Sequence, residues 1–81
     1  MRMSSTAELR FATKHAEVVA SALRPELSEK IPRTRVSVGR EGHEVTVRIE
    51  AEDGNALRAA LNSYIRWMNV AEETAEEATG R

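Results

Sequence analysis

Two residue periods alternate along the chain and set the order of its elements. Ala7, Leu9 and Phe11 alternate with Glu8 and Arg10, the two-residue repeat of a strand with one buried face, so the pattern predicts a first strand over 7–11. From Thr13 to about Arg24 the repeat lengthens. Ala16, Val19, Ala20 and Leu23, with Leu27 beyond them, fall on one side of a helix, and Lys14, Glu17 and Ser21 lie opposite. Thr13 is the expected cap, its hydroxyl accepting from an orphaned backbone N–H. Pro25 disfavours helical geometry at Arg24 and removes a donor, so the helix should stop or kink there.

The polar stretch from Glu26 to Arg33, punctuated by Pro32, reads as a connection. Alternation then returns. Val36 and Val38 face away from Arg35 and Ser37, and after Gly39-Arg40-Glu41-Gly42 the pattern continues as Val45, Val47, Ile49 and Ala51 against Thr46, Arg48 and Glu50. Two strands of a hairpin are expected, joined by the Gly-containing segment. Asp53 offers a cap for a long helix from Gly54 towards Glu77. The predicted fold class is α+β: a three-stranded antiparallel sheet with two helices packed on one face, in the order β-α-β-β-α.

The second helix carries a wide apolar arc. At about 100° per residue, Leu57, Leu61, Tyr64, Met68, Ala71 and Ala75 fall within roughly 80° of one another, a stripe suited to the sheet. Ala56, Ala60 and Trp67 lie to one side, Val70 further round, and Ile65 on the other flank, so apolar residues span roughly 220° of the circumference. One sheet does not cover that much. Trp67 alone can bury on the order of 200 Å². Either the first helix hides it or another chain does. With two flanks to cover and a short first helix, association through the helix is the expectation, with Ala60, Ser63, Ile65, Trp67 and Val70 as the partner-binding face.

Composition narrows the setting. At 81 residues and 9.0 kDa the chain suits one domain, and 41% hydrophobic with 31% charged residues places it among soluble globular sequences. It has no cysteine, so disulfides and thiolate metal sites are excluded and stability must come from packing. Its longest apolar run, Val18-Val19-Ala20, is far below the ~20 residues of a membrane span, and no secretory signal follows the N-terminus, so a cytoplasmic address and no membrane contact are expected. Net charge is −1 but unevenly spread, +2 over 1–66 and −3 over 67–81. Glu72, Glu73, Glu76 and Glu77 sit at the negative end of the helix dipole, and 72–81 reads as an acidic tail that frays unless a basic partner orders it.

Candidate chemistry is sparse. His15 and His43 stand 28 positions apart and read as surface histidines, and with a single Asp the residues suggest no metal cluster, cofactor site or nucleophile triad. Asp53 is explained by capping. Gly39-Arg40-Glu41-Gly42 matches the GxxG loop that clamps nucleic-acid backbones, but such loops join helices, so a hairpin turn is the better reading. Arg10, Arg35 and Arg48 point away from the apolar side of the sheet with Arg33 and Arg40 nearby, a surface able to meet phosphates, although Glu8 and Glu50 share it. A stand-alone RNA-binding module using Arg33, Arg35, Arg40 and Arg48 is therefore the alternative function.

The segment from Ala51 to Trp67 resembles the signature of the Pcc family, the small dimerising subunits of the KEOPS complex. It shows an acidic cap at Asp53, an Ala-Leu-Arg-Ala block from Ala56 to Ala59 that includes Arg58, and Asn62-Ser63 followed by Tyr64. The motif covers about a fifth of the chain, and the order of elements extends the likeness over nearly all of it. The resemblance implies an archaeal-type, non-catalytic scaffold without cofactor or metal of its own. Such a subunit pairs with a second copy and binds, through its helices, the metal-dependent transferase that attaches threonylcarbamoyl to tRNA adenosine; it also implies tRNA contact through the Arg face. For Arg58 and Asn62, one turn apart, the family reading is interface packing and the local reading is a hydrogen bond within the fold.

Overall fold

The structure, a computed structural model, describes residues 3–24 and 33–79. Five elements follow in the expected order: β1 (Ser5–Ala12), α1 (Ala16–Leu23), β2 (Thr34–Glu41), β3 (Glu44–Ala51) and α2 (Gly54–Thr79). Pro25, Leu27 and the connection from Glu26 to Pro32 lie outside the described residues, as do Gly80 and Arg81. The sheet is antiparallel with β3 between β1 and β2. The two outer strands thus run parallel and are joined through α1, a split β-α-β unit with β3 inserted.

Register explains where the core sits. Leu9 and Val38 oppose Val47, Ala7 and Val36 oppose Ile49, and Phe11 opposes Val45, so all three strands turn their apolar residues to one face. Both helices cover that face, α1 over β2 and α2 over β1, each reaching β3. Flanked on both sides and roofed, Val45, Val47, Ile49 and Ala51 of β3 are completely buried, while Leu9, Phe11, Val36 and Val38 of the outer strands are half-buried. Each large side chain so buried contributes about 1.5–3 kcal/mol. Ala16, Val19, Ala20 and Leu23 complete the core from α1, the four positions that the helical period selects.

Three local features differ from the sequence reading. First, α1 starts at Ala16 with His15 as its N-cap, and Thr13 stands two residues earlier. Its hydroxyl accepts from the backbone N–H of His15 at 3.0 Å, shaping the turn into the helix, and its own backbone N–H donates to the His43 carbonyl at 2.8 Å. The helix does stop where Pro25 requires, with Arg24 extended at ψ 129°. Second, Gly39, Arg40 and Glu41 belong to β2, and the hairpin turn is the two residues Gly42 and His43. Gly42 takes φ +61°, the left-handed conformation that glycine adopts without penalty at the first position of a two-residue turn. Third, Arg40 pairs with Val45, whose side chain lies on the core face, so Arg40 projects to the opposite side of the sheet from Arg35 and Arg48.

Asp53 caps α2 as expected: its Oδ1 accepts from the N–H of Ala56 at 2.8 Å, three residues on. From that end α2 returns antiparallel to β3. Its 26 residues span about 39 Å, whereas an eight-residue strand reaches only about 27 Å, so its last turns pass beyond the hairpin end of the sheet. The tail expected to fray is helical through Thr79. Among the described residues no helix is long and apolar enough to cross a membrane.

Candidate protein-interaction surface

The side of α2 that faces the sheet is set by a line of four-residue steps, Ala56, Ala60, Tyr64 and Met68, all buried. Leu57, Leu61 and Ala71, expected at the centre of the contact, are half-buried at its edge. The helix is rotated from the expected orientation so that its small residues meet the sheet closely. This corrects Ala60, which is wholly inaccessible and belongs to the core, not to a partner-binding face.

Beside the buried line runs an exposed one. Trp67 and Val70 are 41% and 54% accessible, and half-buried Ser63 precedes them one turn earlier; the 63, 67, 70 spacing makes a continuous ridge. The Trp67 ring stands edge-on to the buried Tyr64 ring, with centroids 4.9 Å apart and planes at 73°. A buried anchor thus holds a large apolar ring at the surface, the kind of rigid aromatic that interfaces favour. Ile65, 46% accessible, lies roughly 160° round the helix from Trp67. It forms a second ridge with Arg58 and Asn62, both exposed. The five residues read as one partner-binding face are therefore divided between two ridges and the core. Val18 of α1, 56% accessible, adds an exposed apolar residue that the sequence reading did not single out.

The open face of the sheet is charged but nearly balanced. Glu8 accepts from Arg10 Nε at 2.8 Å and lies 3.8 Å from Arg48; Glu50 lies 3.5 Å from Arg35 and 3.9 Å from Arg48. Exposed pairs of this kind contribute about 0–1 kcal/mol each and leave little free positive charge. Arg33, at φ 63° in the turn before β2, donates to Asp53 Oδ2 at 2.7 Å. The Ala56 N–H first, and then the Arg33 guanidinium, hold the Asp53 carboxyl below its ordinary value. Arg40 donates to the Gly42 carbonyl at 3.2 Å. Arg33, Arg35, Arg40 and Arg48 thus do not converge on one surface.

A polar cluster sits where the overhanging end of α2 meets the corner between β1 and α1. His15 is not a surface residue: it is nine-tenths buried, and its Nε2 lies 3.0 Å from Glu76 Oε1. The Thr13 hydroxyl donates to Glu72 Oε1 at 2.5 Å. Donor atoms of His15, Glu72 and Glu76 all lie within 4.8 Å of one another. The sequence carries only a trace of this cluster, the one-turn spacing of Glu72 and Glu76, because their partners are about 60 residues away.

Comparison with known proteins accounts for the architecture. The family model described as "Transcription factor Pcc1" matches residues 4–76. A KEOPS complex subunit Pcc1 from Pyrococcus abyssi (strain GE5 / Orsay) is 46% identical over 57 residues, 69% of this chain and 70% of that protein. The fold is shared with a solved chain from the "Crystal structure of binary complex Gon7-Pcc1", with a TM-score of 0.81 at 20% identity, covering 95% of this chain and 99% of the other. A family match from β1 to the last turns of α2, joined to identity at that level, makes this chain a member of the Pcc1 family.

Proposed function

We propose that this chain is a non-catalytic, dimerising scaffold subunit of a KEOPS complex in the cytoplasm, binding the transferase subunit in the threonylcarbamoyl-adenosine modification of tRNA. The observation that carries this reading is the ridge on which Trp67 and Val70 stand exposed, with half-buried Ser63 one turn before them and the buried Tyr64 ring against Trp67. The Pyrococcus abyssi relative, a KEOPS subunit by name, supports the assembly to which the ridge belongs. The ridge is the transferase-facing surface. A second copy docks either on the remaining ridge of α2 or along an open edge of the sheet, where backbone groups are unpaired.

The alternative, an RNA-binding module reading phosphates with the Arg face, is weaker because Glu8 and Glu50 already neutralise most of that face. Co-expression with a candidate transferase separates the two. Replacing Trp67 and Val70 with Ala should abolish co-purification while leaving the circular dichroism spectrum unchanged. Replacing Arg35 and Arg48 with Ala should leave co-purification intact. If the Arg changes abolish tRNA modification and the helix changes leave both binding and modification untouched, the scaffold reading fails. Light scattering of the pure chain should give twice its 9.0 kDa mass.

A further inference from the structure

We propose that His15, Glu72 and Glu76 bind a divalent transition-metal cation, with zinc the best match, which clamps the end of α2 onto the corner between β1 and α1. The three donor atoms lie within 4.8 Å of one another. Zinc in a tetrahedral site has bonds of about 2.0–2.1 Å to nitrogen and oxygen, which sets donors roughly 3.4 Å apart. The 3.0 Å between His15 Nε2 and Glu76 Oε1 is already of that order, and the half-buried Glu72 carboxylate closes the third side by a small side-chain movement. One imidazole and two carboxylates suit zinc better than magnesium or calcium, which favour oxygen alone. Water would take the fourth position.

Two further features fit a cation better than a set of hydrogen bonds. Carboxylates one turn apart at the C-terminal end of a helix repel each other and the helix dipole, and a dication reverses both terms. In addition, the ligands have the outer support that metal sites show. The buried Thr13 hydroxyl fixes one Glu72 oxygen while accepting from the His15 backbone N–H, leaving the second Glu72 oxygen for the ion. Thr13 is a positioning residue here, and the ion would do for the C-terminal end of α2 what Asp53 does for its beginning.

The test uses the tag-free full chain stripped of metal and titrated with zinc chloride by calorimetry. A one-to-one isotherm is expected, with Tm rising by roughly 10 °C at zinc concentrations about 100 times Kd, reversed by EDTA and not reproduced by magnesium. Glu72→Gln with Glu76→Gln should abolish binding, Thr13→Ala should weaken it about 10–100-fold, and His43→Ala should leave it unchanged. Nitrogen NMR of the wild-type imidazoles needs no variant: zinc should shift the His15 ring signals and leave those of His43 in place. Absence of zinc binding to the wild type, binding that survives the double Gln variant, or a shift confined to His43 would overturn the proposal.

Discussion

Trp67 and Met68 are neighbours in the chain and have opposite fates. Met68 ends the line that begins at Ala56 and is buried against the sheet, whereas Trp67 stands 41% accessible on the next line round the helix. Both are large and apolar, so hydrophobicity does not distinguish them. A rotation of about 100° between consecutive residues does, together with small side chains at Ala56 and Ala60 that bring one line close to β3. The inner line holds the fold and the outer line is available for association. Residue size and position on the helix decide between these roles.

Breaking the inner line should have the largest effect on stability. Met68→Ala removes a buried side chain from the core and is expected to cost about 2–5 kcal/mol, enough to lower Tm by well over 10 °C in a domain of this size. A thermal melt checks it. Trp67→Ala should cost only about 1 kcal/mol, chiefly the edge-on contact with Tyr64, while removing transferase binding; a Tm loss equal to that of Met68→Ala would erase the distinction between the two lines.

The ends of α2 sharpen the same contrast. Asp53→Ala should lower Tm by roughly 5 °C at neutral pH through loss of the cap. The Asp53 carboxyl is held below its ordinary 3.8, so its contribution is complete above that value and disappears as pH falls through the lower folded value. The gap between wild type and variant melts should therefore be full at neutral pH, begin to narrow only below about pH 4, and close once pH lies below the lowered folded value. Arg35→Ala with Arg48→Ala should change stability least, by about 0.5 kcal/mol or less, since these side chains make only exposed pairs on the open face of the sheet.

Much of this was legible along the chain, and for identifiable reasons. Alternation placed all three strands because a two-residue period fixes which face each side chain takes once one face is buried. Asp53 announced α2, and Pro25 announced the end of α1, because both act on backbone within a few residues of themselves. The excess apolar circumference of α2 was also visible, and Trp67, Val70 and Ile65 remain accessible in the structure. Periodicity nevertheless misplaced the centre of the contact: it weights large side chains, while the packed helix turned Ala56 and Ala60 inward. Arg40 takes the core side of the sheet because β2 runs on to Glu41 and the hairpin turn begins at Gly42, three residues later than the pattern predicts.

The sequence by itself determined the elements, their order and the surplus of apolar surface on α2, since each depends on residues close together in the chain. Tertiary structure alone decided which line of α2 meets the sheet, how Glu8 and Glu50 neutralise the arginines, and how His15 and Thr13 come to hold Glu76 and Glu72 from the far end of the chain. Contacts between residues about 60 positions apart leave no periodic mark. They exist because α2 is longer than the sheet it covers and its last turns must rest on the corner where α1 begins.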